Sequence, residues 1–170
     1  MRHPFFIRPA QRDDRDALNR LFSASYPELL PQDYDAEVLE GALPLITRAQ
    51  DALLTSGTYF LAECAETDEV VGAGGWTDFG PLRGAGDAHQ GHVRHVATRA
   101  DWLRRGVAKA LIEVTLASAG AHGMTKLSCM STHTAQAFYR MMGFSEQGEV
   151  ELTLAPGVHF PAVQMQMALN

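Results

Sequence analysis

The end of the chain alternates cleanly. Val163, Met165, Met167 and Leu169 fall on one face, and Gln164 and Gln166 on the other, the period-two pattern of a half-buried strand. Phe5-Phe6-Ile7-Arg8 reads as a first strand stopped by Pro9. Asp13 or Asp14 can then cap a helix that carries Ala17, Leu18, Leu21 and Phe22 on one face. Pro27 and Pro31 bracket a break, and Asp35 can open a second helix with Val38 and Leu39. Pro44 interrupts that pattern, which resumes through Ile46, Leu53 and Leu54 and ends at Gly57. Residues 59–64 and 70–77 predict a hairpin, and Gly80-Pro81-Leu82-Arg83-Gly84-Ala85-Gly86-Asp87 a mobile loop. Strands are expected at 92–98, 124–130 and 148–154, with helices at 107–121 and 134–142 and a loop at 155–161. The order β-α-α-β-β-β-α-β-α-β-β describes an α/β (α+β) fold, a mixed sheet with helices on both faces. No internal repeat is present.

The junction Arg104-Arg105-Gly106-Val107-Ala108 stands out. A strand entering a glycine turn that opens a helix leaves backbone N–H groups unpaired at the positive end of the macrodipole. Such a turn suits a phosphate or pyrophosphate, and Arg104, Arg105 and Lys109 add positive charge. Neither the Walker spacing nor G-x-G-x-x-G occurs in this turn. A glycine here can equally be a plain chain reversal, and the arginines a solvated face.

The residues from Val93 through Val96-Ala97-Thr98, Leu103-Arg104-Arg105-Gly106-Val107-Ala108-Lys109 to Leu111 resemble strand 4, pyrophosphate loop and helix 3 of the GNAT superfamily. Ala135-Gln136-Ala137-Phe138-Tyr139-Arg140-Met141-Met142-Gly143-Phe144 looks like that family's helix 4 and the start of its next strand. These acetyl-coenzyme A-dependent N-acetyltransferases have a mixed, mostly antiparallel seven-stranded sheet, so the resemblance implies one N-acetyltransferase domain over residues 1–170. Two positions depart from the family pattern. Leu103 stands where a Gln or Arg is usual, and Thr134 where an Asn is common.

The implied reaction moves an acetyl group from acetyl-coenzyme A to a primary amine of a small molecule or peptide, by direct attack in a ternary complex. An alkyl amine with a pKa of roughly 10.4 must lose a proton first, at a cost of roughly 4.6 kcal/mol at pH 7. A proton acceptor, a donor for the leaving thiolate and an N–H for the oxyanion are therefore needed. The resemblance assigns the thiolate to Tyr139. It makes His92, fourteen residues before Gly106, the candidate base, and Arg94 an alternative holder of an acceptor carboxylate. Tyr139 could also be helix packing, and His92 a surface histidine. The segment Val96, Ala97 and Thr98 should hold the pantetheine amides, with the oxyanion contact near Val96; Leu103 to Lys109 and Thr134 should complete the cofactor site. Tyr26, Tyr34, Trp76 and Asp78, together with His159 or Phe160, are candidates for the acceptor pocket, Trp76 because Gly74-Gly75 permit close approach beside it.

Length and composition, 170 residues with 46% apolar and 20% charged, fit one ordinary globular domain. There is no run of about 18 apolar residues, so no membrane span is expected. The start lacks a signal-peptide core and Cys64 and Cys129 lie in apolar strands, which together favour the cytoplasm. His89, His95 and His133 show no metal-ligand spacing, so no metal is expected. A formal charge of −6 argues against nucleic-acid binding and mildly favours a cationic acceptor. A non-catalytic acyl-coenzyme A-binding or sensing domain is the alternative reading. The last strand could also pair across a homodimer.

Overall fold

The computed structural model describes residues 4–78 and 89–169. The expected loop at 80–87 lies outside them. In chain order the elements are β1 (Phe5–Pro9), α1 (Arg15–Leu29), α2 (Ala36–Ile46), α3 (Asp51–Leu54), β2 (Tyr59–Cys64), β3 (Val70–Thr77), β4 (Gln90–Thr98), α4 (Val107–Ala121), β5 (Lys126–Ser131), α5 (Gln136–Met141), β6 (Ser145–Ala155) and β7 (Val158–Ala168). One seven-stranded sheet runs in the order β1-β2-β3-β4-β5-β7-β6. Every neighbouring pair is antiparallel except β4–β5.

The central strands β2 and β3 are buried on both faces, whereas β6 is largely exposed. Tyr59 and Leu61 of β2 join Leu18, Leu21 and Phe22 of α1 on one side. Phe60, Ala62 and Cys64 join Val107 and Leu111 of α4 on the other. Alternate residues of one strand thus feed two cores, which is why β2 reads as nearly continuous apolar sequence. The predicted face of β7 is also in place: Val163 and Met165 are buried, with Met167 and Leu169 packed against the same cluster.

Several local expectations are corrected. Asp14 occupies the N-cap position of α1, but no side-chain cap bond forms. Its carboxylate is engaged by the Arg8 guanidinium at 2.8 and 2.9 Å and by the Gln11 N–H. Pro27 and Pro44 do not break their helices. Each sits on an exposed side, and the carbonyls four residues earlier, on Ser23 and Glu40, belong to exposed residues that water can serve. The predicted loop at 155–161 shrinks to a two-residue turn at Pro156-Gly157, with Gly157 at φ 78. The last strand has no free edge for a second copy, because β7 lies between β5 and β6. The sheet edges are β1 and β6. No helix among the described residues is long and apolar enough to cross a membrane.

Candidate functional site

β4 and β5 pair only at Gln90–Lys126, Gly91–Leu127 and His92–Ser128, although β4 continues to Thr98 and β5 to Ser131. Beyond His92 the two parallel strands part. A cavity of about 880 Å³ fills the parting, lined by Val93, Val96 and Thr98 from β4, Cys129 from β5, and Tyr139 and Met141 from α5.

Strand groups at a parting need other partners. Three hydroxyls supply them. Tyr59 Oη donates to the His95 carbonyl at 2.5 Å, Tyr26 Oη to Val96 at 2.9 Å and Ser25 Oγ to Thr98 at 2.7 Å. The β3–β4 register slips between Ala73–Ala97 and Gly75–Arg94, so His95 and Val96 together oppose Gly74. This is a β-bulge, and His95 sits in it at φ 47. A Cβ on Gly74 would lie 3.1 Å from the Val96 side chain, which explains the glycine opposite the bulge.

The glycine turn contributes to the cavity lining. Arg104 at φ 62 and Gly106 at φ 82 both adopt left-handed backbone, and α4 begins at Val107 with no side-chain cap. The first N–H groups of α4 thus meet no capping side chain, and Arg104 and Lys109 are among the residues lining the same space. That arrangement fits a pyrophosphate. Nothing but backbone geometry requires the glycine at 106, since an added Cβ would meet no atom within 4 Å. Arg105 does not join the lining. Its guanidinium stacks 4.7 Å above the buried Trp102 ring. The Arg105 side chain, expected to hold phosphate, is therefore committed to the protein. Leu103 is 43% exposed and lines the groove. Thr134 lines it too, with its hydroxyl donated to Asp33 at 2.8 Å.

Tyr139 lines the cavity from α5, buried and packed against Phe138 and Phe144. Burial raises its pKa well above the ordinary phenol value, with the neighbouring Cys129 adding to the effect. The phenol therefore keeps its proton at neutral pH and can act as a donor. Cys129, hydrogen-bonded to it, is pushed up to about 12 by burial, so it too remains a neutral thiol.

His92 occupies the last paired rung before the strands part, its Nδ1 2.5 Å from Ser128 Oγ. Burial lowers its pKa, the Arg94 charge adds to this, and Asp78 opposes both. His92 is thus neutral near pH 7, but it does not line the cavity. Arg94 is buried and donates to Thr77 Oγ1 at 3.0 Å and Gln50 Oε1 at 3.1 Å.

The acceptor candidates separate. Tyr26 lines the cavity. Trp76 does not: its indole N–H donates to Ser118 Oγ of α4 at 2.9 Å, and its ring packs with Ile112 and Leu127 in the core. The glycines before it serve the backbone, because a Cβ on Gly75 would fall on the Thr58–Tyr59 main chain. Tyr34 is structural as well. It donates to the Pro161 carbonyl at 2.7 Å, accepts the His133 N–H at 2.9 Å and stacks on His133 and Phe160. His159 lies exposed on β7, and Phe160 is buried beneath Tyr34.

Sequence reasoning missed His95, which it weighed only as a metal ligand. The bulge turns both Arg94 and His95 toward α1–α3, where the imidazole stacks on Phe22 with centroids 3.9 Å apart. Nε2 lies 2.8 Å from the Ile46 carbonyl, which fixes the proton on Nε2. Nδ1 is then a bare lone pair, buried and without a partner. His95 is also among the residues lining the cavity. Burial holds its pKa down to about 4, against a raising effect of the Ile46 contact.

Residues 15–144 match the Acetyltransferase (GNAT) family. The chain belongs to the GNAT acetyltransferase family. Its fold is that of a GCN5-related N-acetyltransferase from Rhodopseudomonas palustris, at TM-score 0.80 and 22% identity over 99% of this chain and 98% of that one. The PaiA N-acetyltransferase from Thermoplasma acidophilum, crystallised with coenzyme A, gives 0.71 at 12% identity over 96% and 98%. The ribosomal-protein-S18-alanine N-acetyltransferase of Escherichia coli gives 0.65 at 12% over 98% and 94%. Among curated proteins, none matches this GNAT chain in sequence.

Proposed function

We propose that this GNAT chain is a single N-acetyltransferase domain over residues 1–170 that moves an acetyl group from acetyl-coenzyme A to a primary amine of a small molecule or peptide, acting in the cytoplasm. One observation carries the reading. The parted strands border a cavity whose lining includes both the first turn of α4, uncapped by any side chain, and a protonated, buried phenol. The thioester, when bound, supplies an activated acyl carbon. The chain's own residues do the rest. Val107, Ala108 and Lys109 offer N–H groups to the pyrophosphate, with Arg104 beside them. Val96 presents its N–H to the acyl oxygen. Tyr139 holds its proton for the departing sulfur as the C–S bond breaks and the C–N bond forms. His92, neutral at the last paired rung and outside the cavity lining, takes the amine proton through bridging water, and Arg94, two residues further along β4, is suited to orienting a carboxylate on the acceptor.

The decisive experiment pairs calorimetry with thiol release. Coenzyme A should bind, and thiol should appear with at least one amine in a panel of polyamines, amino acids, aminoglycosides and peptide N-termini. Tyr139→Phe should then lower kcat by about tenfold or more with coenzyme affinity unchanged. Binding without thiol release from any amine supports instead a non-catalytic acyl-coenzyme A-binding domain, a reading favoured by the apolar Leu103 in the phosphate turn. Near-unchanged turnover in Tyr139→Phe removes the phenol from the mechanism.

A further inference from the structure

His95 is a buried ring with one nitrogen used and one idle. Nε2–H is tied to the Ile46 carbonyl at the end of α2, and Nδ1 has no partner. Buried acceptors are nearly always satisfied, so an idle one calls for an explanation. The hydroxyls around it are already placed. Tyr59 donates to the carbonyl of His95 itself, and Tyr26 to that of Val96. Phe22 offers no donor, and Arg94 donates to Thr77 and Gln50. The backbone is held at φ 47, a left-handed conformation uncommon outside glycine although histidine is among the residues enriched there, and such conformations cluster at working sites. His95 is among the residues that line the cavity, one residue before Val96. Nδ1 is enclosed in this arrangement, with the ring stacked on Phe22 and Tyr26, so a partner reaches it only with a tilt of the imidazole about the Ile46 contact.

We propose that His95 Nδ1 is the hydrogen-bond acceptor for an N–H of the incoming amine, aiming the nitrogen lone pair at the acyl carbon held beside Val96. The proposal rests on the acyl-transfer reading above and adds a residue to it. A neutral imidazole suits the task, because it accepts from the amine and places no positive charge next to an ammonium. His92 keeps the separate task of removing the proton.

Two substitutions separate this role from simple tethering of α2. His95→Gln can keep a donor on the Ile46 carbonyl and lacks the near acceptor. His95→Asn offers an oxygen near the Nδ1 position and loses the tether; Asn also tolerates left-handed backbone. Expected for His95→Gln is a loss of about tenfold or more in kcat/KM for the amine, with His95→Asn within about threefold of the parent and coenzyme affinity equal in all three. The opposite ranking, or equal losses, overturns the proposal in favour of tethering.

A second measurement needs no variant. In the full chain saturated with coenzyme A, the His95 Nδ1 resonance is followed by nitrogen NMR during titration with methylammonium chloride. Movement of that resonance is expected, while the Nε2 resonance stays in place. A silent Nδ1 at saturating methylammonium overturns the proposal alone, provided that calorimetry shows coenzyme A bound. If coenzyme A does not bind, the acyl-transfer reading falls and this proposal falls with it.

Discussion

Acid should weaken this protein through His95. The folded-state pKa is about 4 against an ordinary histidine value of 6.5, and the cause is withdrawal of the ring from solvent beside Phe22 and Tyr26, with the Arg94 charge adding to it. The folded state therefore resists a proton that the unfolded chain accepts. Stability from the neutral ring is complete above pH 6.5 and declines as pH falls toward 4, where the loss levels off. Integrating between these two pKa values gives about 2 kcal/mol lost from pH 7 to pH 5, and about 3 kcal/mol by pH 4. Other groups titrate in the same window, His92 among them, so the parent alone does not isolate the effect. The comparison is with His95→Phe, which keeps the stack on Phe22. That variant carries a constant penalty for φ 47 and for the lost Ile46 contact, and a constant cancels in a pH difference. Urea unfolding of both proteins at pH 7, 6 and 5 is the assay. The parent's advantage over the variant should shrink by about 2 kcal/mol across that range. Parallel curves would mean that the ring is charged or solvated in the folded state, and the tautomer assigned from the Ile46 contact would be wrong.

Three further outcomes follow from the site. Gly106→Ala should cost about 1 kcal/mol in chemical denaturation and weaken coenzyme A binding in calorimetry, through φ 82 and not through a clash; unchanged values in both would show that the turn relaxes freely. Arg104→Glu and Lys109→Glu should weaken coenzyme A binding more than Arg105→Glu, whose parent side chain lies on Trp102. That difference should shrink between about 0.05 and 0.5 M salt, and an equal effect of Arg105→Glu would return that side chain to the phosphate site. Tyr26→Phe should lower stability by about 1–2 kcal/mol in urea unfolding, because the Val96 carbonyl loses its donor at the parting; no change would show that water serves it.

Much of the fold is written locally. Alternation at Val163, Met165 and Met167 places β7 correctly, and the run from the glycine turn into 107–121 gives α4 to the residue. These elements are legible because a strand half-buried on one side, or a helix opened by a left-handed glycine, imposes its pattern within a few residues. Tyr139 is legible for another reason, since the Phe138-Tyr139 pair and Gly143-Phe144 carry a family resemblance at fixed spacing. The misreadings share a cause. Trp76 follows two glycines, which in a strand mean close approach to something, but the sequence does not say to what. Here Gly75 meets the Thr58–Tyr59 backbone and Gly74 makes room for Val96, and the indole turns to the α4 core. Pro27 and Pro44 break helices only if the freed carbonyl is buried, and burial is a tertiary property.

The bulge at His95–Val96 is the least legible feature and the most consequential. No glycine, asparagine or proline marks it, so nothing local betrays a left-handed residue in the middle of β4. Its cause lies in the register with β3, where one residue, Gly74, faces two. The extra residue bends β4 at the point where β4 and β5 separate, and it reverses the alternation of side chains. A strict two-residue period would put His95 opposite Arg94, on the α4 face. With the bulge, the imidazole instead meets Phe22 and Ile46 on the α1–α2 side. Hydroxyls of Ser25, Tyr26 and Tyr59 then take up the carbonyls of this segment. The protein's own hydrogen bonds thus contribute to holding the strands apart, and each carbonyl they satisfy is one that a ligand between β4 and β5 does not have to serve.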